Sequence, residues 1–258
     1  ILYAASIGSN KDLWIMNRDA SGVRQLTSTP FNESSPVLSP DGRSIFFDSN
    51  QSGEDRIWRM NADGTEPVQI SFRSSGRRPQ FSADGKYLFF NGSLDGRIYR
   101  IDLATGEEIA VTEMRREVSA VDASGSRIAA ADEQDKRSIE IIDVASGRVI
   151  DRIRGTARND EITQIVWLPK TRALLYVAKD REKNVSSLWK RPVAGGSPER
   201  IADLGSDEVA DLSADAAGYA WLVVRGRSIS AASDQAIGES LLLNMIGTRS
   251  LRFSSLTK

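Results

Sequence analysis

Apolar residues in this chain gather in short runs, each ended by turn-forming Gly, Asp, Asn or Pro. "SIFF", "YLFF", "ALLYVA" and "AWLVV" are nearly continuous apolar stretches, the pattern of strands buried on both faces. Residues 29 to 71 show the full cycle: "SSPVLS", the turn "PDG", "SIFFDS", a loop "NQSGED", "RIWRMN", the hairpin "ADG" and "PVQIS". Short strands separated by turn signals every eight to twelve residues or so predict an all-β fold.

The cycle repeats. Tight turns recur at Asp41-Gly42, Asp84-Gly85, Ser124-Gly125, Lys170-Thr171 and Ala217-Gly218. A second marker, the hairpin after each third strand, closes on Gly22, Gly64, Gly106, Gly147 and Gly196, spaced 42, 42, 41 and 49 apart. Two markers sharing a period of about 42 residues indicate four-stranded units arranged as propeller blades. A large residue at one position of each third strand (Trp14, Trp58, Tyr99, Ile141, Trp189) is read as packing between blades.

We therefore expect one domain, a six-bladed β-propeller of four-stranded antiparallel blades, with repeats near 1–28, 29–71, 72–113, 114–155, 156–203 and 204–258. The first unit begins at its second strand, "ILYAAS". Either residues upstream supply its missing innermost strand or the tail strand "SLRFSSL" does; the tail is the expected source, closing the ring.

"SPDGRSIFFDSNQSGEDRIWRMNADGTEPVQIS" resembles the repeat of the TolB-like, WD-repeat-like propellers, which is shared with the propellers of dipeptidyl and prolyl oligopeptidases. "SSLWKRPVAGGSPERIADL" is similar to closing repeats of sensor propellers in bacterial membrane-bound regulators. The resemblance implies a non-catalytic binding module, either the sensor or docking part of an envelope-associated regulator or a periplasmic scaffold. A periplasmic or extracytoplasmic location goes with it. The tail after Arg227 departs from the pattern.

Composition narrows the chemistry. The chain has no Cys and no His, which excludes thiolate metal sites, disulfides and any Ser-His-Asp or Cys-His nucleophile. Thirty-four basic against 35 acidic residues leave a net charge of −1, so no uniform positive field for general nucleic-acid binding exists. No apolar run reaches the length of about 18 residues that suggests a membrane span. The start, "ILYAASIGSN", reads as that of a mature or excised soluble piece.

No metal or cofactor is expected: "DSNQSGEDRIWR" resembles a calcium loop but carries Arg59 where the bidentate Glu belongs. The alternative function is a propeller hydrolase or lyase working with carboxylates at the channel mouth.

Candidate binding residues lie in the loops between successive blades, "FRSSGRRP", "TEMRREV" and "RGTARNDE". They bring Arg73, Arg77, Arg78, Arg115, Arg116, Arg154 and Arg158 towards one rim, for a protein partner or small anionic ligand. Glu113, Glu117, Asp160 and Glu161 offset the second and third loops, so Arg77 and Arg78 are the pair expected to dominate.

Overall fold

The computed structural model describes residues 1–253 except 7–8, 18, 20, 114, 123, 133–134, 155–159, 169–172, 194, 207, 215–219, 226–242 and 246–247. The tight turns are built as their residues dictate. Ser39 N–H donates to Ser44 O at 2.8 Å and Gly42 N–H to Ser39 O at 2.8 Å, while Asp41 Oδ1 accepts from Arg43 N–H and the Ser39 hydroxyl. Ser82, Asp84, Gly85 and Lys86 repeat the arrangement. Gly42 and Gly85 take φ of 73° and 70°, a region that side-chain-bearing residues adopt only with strain. Hydrogen bonds from Ser39 and Ser82 hold the Asp41 and Asp84 carboxyls below their ordinary pKa.

The chain divides into two compact units, residues 1–116 with 145–147, and 117–144 with 148–258. In the first, β1 (Leu2–Ser6), β2 (Lys11–Ile15) and β3 (Arg24–Gln25) make a three-stranded sheet. Two four-stranded sheets follow in chain order: β4 (Glu33–Leu38), β5 (Ser44–Ser49), β6 (Arg56–Asn61), β7 (Val68–Gln69), then β8 (Gly76–Phe81), β9 (Tyr87–Gly92), β10 (Ile98–Asp102), β11 (Glu108–Ala110).

The second unit holds β12 (Arg116–Val121), β13 (Arg127–Asp132), β14 (Ser138–Asp143), β15 (Val149–Arg154), and β16 (Asp160–Leu168), β17 (Ala173–Asp180), β18 (Val185–Pro192), β19 (Glu199–Gly205). Its last sheet is built of β20 (Glu208–Ala214), β21 (Ala220–Arg225), β22 (Leu243–Met245) and β23 (Thr248–Phe253).

These sheets correct the expected blade count. Among the described residues there are five four-stranded blades and a three-stranded first sheet, not six blades of four. The tail strand explains the difference. β23 pairs along its length with β21, Leu222 opposite Leu251, so the last sheet runs β20-β21-β23-β22 and the tail's hydrogen bonds are taken there. β1 instead lies beside β4.

Sheets pack through their apolar faces, as the sequence pattern requires. Leu13, Ile45, Phe47 and Met60 join the first sheet to the second with Trp58 against them; Phe46, Ile57, Leu88 and Phe90 join the second to the third with Tyr99 against them. In the second unit Ile141 lies in one core cluster and Trp189 packs on it, so Trp58, Tyr99, Ile141 and Trp189 of the large-residue column serve packing.

A further repeated device fixes the outer strands. The backbone N–H groups of Leu13, Ile57 and Ile98 donate to the hydroxyls of Thr27, Ser71 and Thr112 at 2.9, 2.8 and 2.9 Å. The carbonyls of the same three residues each accept two successive N–H groups from the outer strand's end. The ladder stops there, leaving outer strands of two or three residues, too short to template edge pairing.

Candidate binding surface

In the first unit the loops that enter and cross the third sheet are tied to one another. The loop 72–75, between β7 and β8, is held by one carboxylate. Glu108, on β11 and only 6% exposed, accepts from the backbone N–H groups of Phe72, Arg73 and Ser74 at 3.0, 3.1 and 2.9 Å, and from the Ser74 hydroxyl. Ser93 N–H donates to Ser75 O at 3.2 Å, joining the loop 93–97 to it. The Arg115 guanidinium donates to Leu94 O at 2.9 Å, and Arg116 N–H to Gly96 O at 2.8 Å. A residue larger than Gly at 76 would collide with the Phe90 ring, so β8 can enter this close only there.

The predicted arginines fare differently. Arg73 is exposed, and its guanidinium makes no ion pair or hydrogen bond with the described residues. Arg77 is exposed but bonded to Asp55, Nε to Oδ2 2.6 Å, so the charge expected to be uncompensated there is already offset. Arg78 has φ of 57° inside a bulge of β8, and Asp48 Oδ1 accepts its N–H at 3.1 Å. Arg115 is exposed; Arg116 is buried, its guanidinium donating to Arg115 O. Arg154 ends β15 in the second unit, and Arg158 lies outside the described residues.

At the same end of the strands the first two sheets bury further acids. Glu33, 1% exposed, lies opposite Ser49 in the ladder; its Oε1 accepts from the Thr29 and Ser49 hydroxyls, while its Oε2 is buried with no partner. Burial, against the pull of those hydroxyls and with Asp12 adding to it, raises the Glu33 pKa. Asp48, in the stretch resembling a calcium loop, accepts from the Ser34 hydroxyl and Arg78 N–H. Among the described residues no group of three or more Asp or Glu side chains gathers as a metal site.

Residues 1–117 match the PD40 family, the TolB beta propeller domain. The crystal structure of TolB from Acinetobacter baumannii superposes with a TM-score of 0.60 at 21% identity, over 75% of this chain and 49% of that one. The fold is that of a TolB-like β-propeller. An uncharacterized protein of Agrobacterium fabrum is 34% identical over 65 residues, 25% of this chain and 22% of that protein, so the chain spans about half of the TolB structure and a fifth of that relative. An oligogalacturonate lyase of Vibrio parahaemolyticus is similar with a TM-score of 0.52 at 12% identity, over 89% of this chain and 78% of that one. The family match coincides with the repeats that keep the Ser-x-Asp-Gly hairpins, whose bonds are described above.

Three features of this propeller escaped the sequence reading: the Glu108 clasp, the buried Glu33, and two apolar side chains on the same loops, Phe72 and Leu94. Only the last carried a signal, an apolar residue within a polar loop.

Proposed function

We propose that this TolB-like propeller is a non-catalytic, protein-binding module, the sensor or docking part of a bacterial envelope-associated regulator or a scaffold of the periplasm. The observation that carries the reading is the clasped loop 72–75. A buried carboxylate fixes three consecutive backbone amides while the side chains of Phe72 and Arg73 stand exposed, so a surface is presented at little further entropic cost on binding. No helix among the described residues is long and apolar enough to cross a membrane.

A photo-crosslinking residue at Arg73 in the producing cell tests this. The reading predicts a discrete protein adduct from that site and none from Arg43, an exposed residue of the hairpin at the opposite end of the strands. No adduct at Arg73 would overturn it. The rival reading, a lyase of acidic oligosaccharides, draws on the likeness to the Vibrio enzyme. Incubation with oligogalacturonate, followed by ultraviolet absorbance of unsaturated products, separates the two; product formation would favour the enzyme.

A further inference from the structure

Phe72 and Leu94 are the most exposed large apolar residues among those described, each at 69%. Neither is required by the repeat. Counting from the hydroxyl residues Thr27, Ser71 and Thr112, the position of Phe72 is held by Ser28 and Glu113 in the sibling units. Counting back from Leu13, Ile57 and Ile98, the position of Leu94 is held by Ser9 and Gly53. The fold thus accepts small or polar residues at both places, and here alone in the three units it carries large apolar ones on adjoining loops.

Those loops are rigid by their bonding. Glu108 holds the amides of Phe72, Arg73 and Ser74; Ser93 N–H is bonded to Ser75 O; Arg115 is bonded to Leu94 O. The charge exposed beside the apolar pair includes arginine guanidinium groups. Arg73 follows Phe72, its guanidinium without a partner among the described residues; Arg97 and Arg115 are exposed on the same loops, Arg97 in an ion pair with Asp95 at 3.8 Å. The acids there are Asp95, whose carboxylate accepts from the Tyr99 hydroxyl at 2.6 Å and from Arg97 N–H at 3.0 Å, and the exposed Glu113. With Glu108 beneath the loop, three cations face three acids; Glu108 and Asp95 are already engaged, and Arg73 is the cation left without a partner among the described residues.

We propose that Phe72, Arg73 and Leu94 form a docking surface for an acidic protein segment carrying a large apolar side chain, an assignment that rests on the binding reading above. The apolar side chain of the partner covers Phe72 and Leu94, and its carboxylate pairs with Arg73. Aromatic and Arg side chains on a fixed backbone are the residue types that concentrate binding energy at interfaces. Arg pairs with carboxylates through two parallel hydrogen bonds, which Lys does not reproduce.

The test uses fluorescein-labelled short peptides and anisotropy with the whole chain. A peptide alternating Glu and Leu should bind, more weakly as salt rises. Peptides alternating Glu and Ser, or Lys and Leu, should not compete. The double change Phe72→Ser with Leu94→Ser, which writes in the sibling units' own residue type, should weaken binding about tenfold or more, and Arg73→Glu should do the same. Leu38→Ser, removing an exposed apolar residue at the hairpin end of β4, should change nothing. No binding of the Glu-Leu peptide by the wild-type chain, or equal binding by the double variant, would overturn the proposal. If the Arg73 crosslink forms while the peptide fails, the occupant is wrong and the binding reading stands. If the crosslink also fails, that reading falls too.

Discussion

Glu108 and Glu33 are both buried glutamates, and they have opposite surroundings. Glu108 receives three backbone N–H groups and a hydroxyl, so both of its oxygens are satisfied. Glu33 receives the Thr29 and Ser49 hydroxyls on Oε1, with the Thr27 hydroxyl also acting on the carboxyl; its Oε2 has no partner among the described residues, and Asp12 stands nearby. A buried carboxylate stabilises a fold through the donors it gathers, and an oxygen without a donor forfeits hydration for nothing in return. In the first case the carboxylate organises a loop. In the second, burial works against the carboxylate's ionised form.

Breaking the first member of the pair should have the larger effect. Glu108→Ala leaves three amides and a hydroxyl without their acceptor and should destabilise the chain by about 2–3 kcal/mol, read as a lower midpoint in urea. A variant as stable as wild type would show that water replaces the carboxylate without loss.

The second member should move the other way. Because the folded-state pKa of Glu33 is raised above the unfolded value, its ionisation opposes folding: stability is reduced above the folded pKa and recovers as pH falls through it. Glu33→Gln keeps the shape, removes the charge and should stabilise the chain at neutral pH by about 1–2 kcal/mol. It should also abolish the wild type's gain in stability on mild acidification, measured by melting between neutral and weakly acidic pH. Loss of stability in Glu33→Gln would mean that the ionised form is held by contacts other than those seen.

Surface charge should matter least for the fold. Arg77→Ala breaks the ion pair with Asp55, but the Arg77 side chain is 59% exposed, so the loss should stay below about 1 kcal/mol. A chelator bears on Glu33 from another side. With no group of three or more acids gathered among the described residues, it should leave the melting temperature unchanged, and a drop restored by calcium would make Glu33 Oε2 a cation ligand.

The parts of this molecule legible in its sequence are those decided locally. Asp41-Gly42 and Asp84-Gly85 form hairpins because the side chain and the glycine act within five residues of the turn. The all-β repeat follows from the same periodicity. The strand "SLRF", by contrast, suits the edge of either the first or the last sheet, and its partner is chosen by non-local bonding to β21, so the blade count did not follow from the pattern.

The site shows the same division. Arg73 and Arg115 could be placed on exposed loops from their neighbours, but Arg116, one residue on, is buried, and Arg77 meets an Asp 22 residues away. Glu108 reads as a polar residue of an outer strand; its role exists only through amides 34 to 36 residues earlier.

Amide hydrogen exchange at Phe72, Arg73 and Ser74 tests the central claim, that a buried carboxylate turns an exposed loop into a fixed binding platform. In the wild type these three amides should exchange slowly, and in Glu108→Gln, which trades the carboxylate for a weaker neutral acceptor, they should exchange markedly faster while Ile57, bonded to the Ser71 hydroxyl, keeps its protection. Exchange of the three amides at unprotected-loop rates in the wild type, or an unchanged rate in the variant, would contradict it.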